Sequence, residues 1–102
     1  MTNLWGKYAK RLNLKLSAMN KRHRKTLDLI FTQPISGNIK WHDVNSLFES
    51  LGAIFNERSG SRVAILLNDR VAVFHRPHPN PNLDKGMVRD IRRFLESTGI
   101  MP

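Results

Sequence analysis

The spacing of apolar residues changes several times along the chain, and each change marks an element. Between Asn20 and Phe31, Leu27, Ile30 and Phe31 share one side of a helix, with Arg24, Leu27 and Ile30 three apart. Gln33-Pro34 ends that helix, because proline disfavours helical geometry in the residue before it. Trp41, Val44, Leu47, Phe48 and Leu51 then recur as one apolar stripe, and Gly52 follows where a left-handed C-terminal cap falls. This predicts a second helix from about Trp41 to Leu51, with Trp41 and Phe48 in the core and His42 at the surface.

Further on, the period shortens to two. Ala53 to Arg58 reads as a short strand and Ser59-Gly60-Ser61 as a turn. Val63, Ile65 and Leu67 fall on one face of a second strand, and Val71 and Val73 on one face of a third. Asn68-Asp69 between them tolerates turn geometry, so the two strands are expected to form a tight hairpin. Connections this short allow no crossover, so the sheet is antiparallel. Asn80-Pro81-Asn82-Leu83 is a loop, and Asp84 caps a last helix to about Thr98 that buries Met87 or Val88, Ile91, Phe94 and Leu95 before Gly99 stops it. The predicted fold class is α+β: an α-β-β-β-α unit with an extra N-terminal helix and a three-stranded antiparallel sheet, both flanking helices packed on one face. That is the arrangement of the double-stranded-RNA-binding domain.

A chain of 102 residues has room for one core. It contains no cysteine, which excludes disulfides and thiolate metal sites. No apolar run approaches a membrane span, and the basic N-terminus lacks the apolar block of a signal peptide, so a cytoplasmic protein with no membrane partner is expected.

The net charge of +9 is unevenly spread. Residues 1–25 carry eight Lys/Arg and no Asp or Glu, whereas the remainder carries nine Lys/Arg against eight Asp/Glu. Overall basicity is therefore weak evidence for nucleic-acid binding. Leu4, Trp5, Tyr8, Leu12, Leu14 and Leu16 fit neither helix nor strand, nor the regular apolar face a membrane anchor needs. Residues 1–19 are expected to be a poorly ordered basic arm and residues 20–102 the single domain. Met19 and the basic run after it also have the form of a natural protein start, an alternative in which residues 1–18 are not translated. Lys21 to Lys25 reads as a solvated first turn.

Candidate chemistry gathers at the two ends of the hairpin. It opens with Gly60-Ser61-Arg62 and closes with His75-Arg76-Pro77-His78-Pro79, groups able to contact a phosphate or move a proton. On the last helix Lys85, Arg89, Arg92 and Arg93 recur at helical spacing, interrupted by Asp90 and Glu96. A zinc site from His75 and His78 would lack further ligands, and neither a metal nor a cofactor is expected.

Several of these residues resemble those of HicA-family toxins, the small RNA-cleaving partners of HicB antitoxins. The similarity rests on Gly60-Ser61 after the first strand, Pro77-His78 after the third, Gly86 opening a helix that contains Ile91, and the helix-to-strand junction Leu51-Gly52-Ala53. It spans residues 41–102, with residues 20–40 as an added helix. The resemblance implies a toxin component that binds RNA (mRNA), acts as a metal-independent endoribonuclease (an mRNA interferase), and is neutralised by a HicB-type antitoxin.

One residue departs from the pattern. In typical members a histidine follows the Gly-Ser pair and is assigned the catalytic role; here Arg62 stands there, and a guanidinium with a pKa above about 12 is no general base. The resemblance therefore implies fold and RNA binding more directly than catalysis. Metal-free RNA cleavage needs a base for the 2′-hydroxyl proton, an acid for the leaving oxygen and positive charge on the phosphorane. His75 and His78 would divide the first two roles, imidazole being suited to both, with Arg62 and Arg76 as phosphate clamps. The bland alternative leaves His78 ordering the Pro77–Pro79 turn and His75 at the sheet edge. RNA would lie across Ser61, Arg62, Arg76, His78, Lys85, Arg89 and Arg92, and an acidic antitoxin surface would cover His78 and the last helix. The rival reading is a non-catalytic RNA-binding module of the same fold, in which Arg62 marks lost catalysis.

Overall fold

The computed structural model describes residues 19–102. The expected arm lies outside the described residues except for Met19, which packs against the core. Helix α1 (Lys21–Phe31) opens on Asn20, whose side chain accepts from the His23 backbone N–H at 2.8 Å. Helix α2 (Trp41–Ser50) has no side-chain cap at its start. It is held there by a short antiparallel bridge in which the Trp41 N–H donates to the Pro81 carbonyl (3.0 Å) and the Leu83 N–H to the Ile39 carbonyl (2.8 Å). Helix α3 (Lys85–Ser97) opens on Asp84, which accepts from the Met87 N–H at 2.7 Å.

Both later helices end in the same way. Gly52 and Gly99 adopt φ of 84° and 85°, and the residue after each donates back to the helix, Ala53 to the Phe48 carbonyl and Ile100 to the Leu95 carbonyl. These paired bonds form Schellman caps, which a residue with a Cβ would strain.

Strands β1 (Ile54–Glu57), β2 (Arg62–Leu67) and β3 (Arg70–His75) form an antiparallel sheet in that order. The expected α-β-β-β-α arrangement is the one observed, with α1 as the added helix. The Asn68-Asp69 turn has positive φ at both residues, 50° and 65°, as a type I′ hairpin turn requires. The Asn68 side-chain amide also donates to the Thr98 carbonyl at 3.2 Å, tying the hairpin tip to the end of α3.

One face of the sheet is buried under helices. Val63, Ile65, Leu67 and Phe74 join Leu47, Phe48, Val88, Ile91, Phe94 and Leu95 in a single cluster. At its centre Phe48, Phe74 and Phe94, from α2, β3 and α3, meet with ring centroids 5.9 to 6.3 Å apart. Trp41 is only half-buried at the margin. Helix α1 buries Leu27 and Ile30 and lies against α2 and α3. Its first turn is more than a solvated stretch: Arg22 pairs with Asp43 at 3.1 Å, and His23 Nε2 meets Ser46 Oγ at 3.0 Å, both across to α2.

The valine face of β3 points away from this core. Ala72 and Phe74 face the helices, whereas Val71 and Val73 are 62% and 51% exposed. Phe74 offers far more area to bury than either valine, and burying it sets the strand's alternation.

Replacing Phe48 by alanine is expected to cost about 3–5 kcal/mol of unfolding free energy. Val71→Thr, on the exposed face, should change it by no more than about 0.5 kcal/mol. Urea unfolding of the two variants, followed by circular dichroism, checks the contrast.

Candidate functional site at the hairpin mouth

In antiparallel pairing, partner residues share a face of the sheet, and this sorts the candidate residues into two groups. Arg62 on β2 is the direct partner of His75 on β3. The Arg58 backbone N–H donates to the Arg62 carbonyl at 3.0 Å, extending the β1–β2 ladder by one residue. Arg58, Arg62 and His75 therefore stand in one row across the sheet on the face away from the helices, and all three are exposed. Arg62 and His75 are thus candidate groups that the strand register brings onto one face. The register roots the side chains of His75 and Arg62 on adjacent strands, one strand spacing of about 5 Å apart at Cβ.

Ser61 and Arg76 form the next register pair, with the Arg76 N–H donating to the Ser61 carbonyl at 3.0 Å, so they belong to the helix-facing side. There Arg76 is committed to a carboxylate: its Nη1 and Nη2 both donate to Glu57, at 2.6 Å for the first. This fork holds the Glu57 carboxyl below its ordinary pKa, chiefly through the hydrogen bond from Arg76, against the opposing effect of desolvation and with a lesser contribution from the charge of the guanidinium. Arg62 and Arg76 thus lie on opposite faces and do not form one clamp.

Arg62 is itself part of the turn. Its Nε donates to the Ser59 carbonyl at 3.2 Å and its Nη2 to the Ser59 hydroxyl at 2.6 Å, closing the side chain over Ser59-Gly60-Ser61. Gly60 sits at φ 71°, in the left-handed region that glycine reaches without strain. The guanidinium keeps its remaining N–H groups for an anion.

His78 lies two residues past the last ladder bond, exposed, in the segment joining β3 to α3. Its orientation is therefore not tied to the alternation that places His75. On α3, Lys85 and Arg89 are exposed one turn apart, while Arg92 is half-buried. With the Gln33 amide oriented to satisfy both partners, its oxygen accepts from both Nη groups of Arg92, joining the end of α1 to α3. Of the six residues expected to bind RNA, then, Ser61, Lys85 and Arg89 are exposed with no side-chain bond inside the described residues, whereas Arg62, Arg76 and Arg92 are engaged.

Arg58 joins the exposed row of Arg62 and His75 through the ladder and not through any motif in the sequence. Its sign in the sequence is position alone, since Arg58 and Arg62 flank the Ser59-Gly60-Ser61 turn symmetrically and so pair across it. Among the described residues, no three His, Asp or Glu side chains come together as a metal-ligating group, and no helix is long and apolar enough to cross a membrane.

A small α+β domain whose hairpin mouth puts an arginine and a histidine in cross-strand register has the residue types that hold an anion and transfer a proton. The family described as HicA toxin of bacterial toxin-antitoxin matches residues 41–100, and the chain belongs to that family. The match begins at α2, so α1 lies ahead of it. No curated protein and no solved structure matches the chain.

Glu57 is expected to titrate below a normal glutamate, and Arg76→Ala should return its midpoint to the ordinary range, read by carboxyl NMR chemical shifts. Because the folded pKa is the depressed one, the pair adds stability above the unfolded carboxyl's pKa and loses it as pH falls through the folded value.

Proposed function

We propose that this protein is the RNA-cleaving toxin of a toxin–antitoxin pair, a metal-independent endoribonuclease held in check by a HicB-type antitoxin. The observation that carries the reading is the cross-strand pair of His75 and Arg62. Family members place a catalytic histidine at the position of Arg62, and here the neighbouring strand supplies an imidazole beside it. The base has moved one strand across, and the guanidinium takes the phosphate.

In this mechanism His75 accepts the proton of a ribose 2′-hydroxyl as that oxygen attacks the adjacent phosphorus. Arg62, already fixed by Ser59, and Arg58 stabilise the charge that develops on the phosphorane. His78 protonates the departing 5′-oxygen, leaving a 2′,3′-cyclic phosphate. Lys85 and Arg89 bind the RNA backbone along α3. Readout through backbone and shape gives little sequence preference.

The rival reading, a non-catalytic RNA-binding module in a cytoplasmic complex, draws on a specific observation. Arg62 is tied to its own turn and cannot move a proton. Both readings share the RNA surface and differ in the fate of the RNA.

Purified protein incubated with a long RNA in EDTA is expected to cleave it, with His75→Ala lowering the rate by about 10²–10⁴ and His78→Ala also lowering it. Expression alone should arrest growth, and His75→Ala should restore it. RNA that stays intact but retarded with all three proteins would overturn the nuclease and leave the binding module.

A further inference from the structure

Beyond the basic row, the helix-free face of the sheet turns aliphatic. The next row is Asn56, Ala64 and Val73, and the one after it Ile54, Leu66 and Val71. Ile54, Leu66, Val71 and Val73 are 62%, 37%, 62% and 51% exposed, and these four make up all but one of the large exposed hydrophobics among the described residues. The face therefore grades from three basic residues at the hairpin mouth to an aliphatic patch toward the tip. None of the nine residues in the three rows is Asp or Glu. Arg58 stands directly opposite Arg62, a like-charge pairing that costs stability unless a counter-anion sits against it.

Three occupants are conceivable, and the pattern favours one. RNA would neutralise the row but leave the aliphatic patch without a match, since a backbone of sugar and phosphate offers it nothing to bury. A second copy would cover the patch but bring a face without carboxylates against another such face. A different protein segment, aliphatic where it crosses Ile54, Leu66, Val71 and Val73 and acidic where it reaches Arg58 and Arg62, complements both halves.

We propose that this face is a docking surface for such an aliphatic–acidic protein segment, whose carboxylates take the phosphate's place beside His75. Docking itself is independent of the proposed nuclease; only its consequence, exclusion of RNA from the basic row, rests on that reading. The surface differs from the α3 face on which an acidic partner was expected from the sequence, and it leaves Lys85 and Arg89 uncovered.

The test is selection of a displayed library of random 12-residue peptides on the immobilised full-length protein. Enriched peptides should combine alternating aliphatic residues with terminal Asp or Glu, and weaken as salt rises. They should lose at least about tenfold in affinity to Val71→Glu/Val73→Glu, and a similar factor to Arg58→Ala/Arg62→Ala, both checked for native circular dichroism. A synthetic enriched peptide should also displace labelled RNA from the wild type. Failure to enrich any peptide, or enriched peptides that bind the variants as well as the wild type, would overturn the proposal. So would a dimer in sedimentation equilibrium that Val71→Glu/Val73→Glu dissolves, or RNA binding that this aliphatic variant weakens while peptide binding is unchanged. Peptides that dock as expected on a protein that cleaves no RNA would refute the nuclease alone.

Discussion

Phe74 packs against Phe48 and Phe94, and the face on which Arg62 and His75 stand follows from that contact. The three rings join one helix, the edge strand and the other helix, so Phe74 cannot leave the core without losing its contacts to both helices. With Phe74 turned inward, strand alternation turns its neighbour His75 outward, opposite Arg62. A slip of one residue would send Val73 and His75 under the helices and the phenyl ring into water. The fold thus sets the face of Arg62 and His75 through an aromatic contact on the other side of the same strand.

Cations in this domain divide into those that hold it together and those left for something else. Arg22 reaches Asp43, Arg76 grips Glu57, and Arg92 meets Gln33; each joins two elements across the helix-covered side. Arg58, Lys85 and Arg89 make no such link among the described residues, and Arg62 is bound only to its own turn. Counting positive residues therefore overstates the surface open to an anion, and the sorting by face gives a better measure of it.

Element ends were legible in the sequence because each depends on a residue with a local physical role. Gly52 and Gly99 supply left-handed caps, Asp84 and Asn20 accept from the first turns of their helices, and Asn68-Asp69 accommodates positive φ twice. Facts that depend on partners distant in the chain were not legible. Val71 and Val73 look like a core face until Phe74 is seen to meet Phe48 and Phe94, because an alternating strand offers two apolar faces and local pattern does not choose between them. Arg76 finds Glu57 nineteen residues away, and His23 finds Ser46 twenty-three away, so neither pairing leaves a mark in spacing. The bridge between Ile39–Trp41 and Pro81–Leu83 escaped for the same reason, its two halves reading as plain loops. The candidate site was half visible: its candidate residues can be named from the sequence, but their division between two faces requires the strand register.

The alternation that places Phe74 inside and His75 outside also separates two kinds of physical constraint. Positions 63, 65 and 74 carry the packing, whereas 58, 62 and 75 border water and can be exchanged with little effect on folding. An exchange of one polar side chain for another at position 62 leaves the packed face of β2 untouched. The face that meets water can thus change its chemistry while the face that packs keeps the fold.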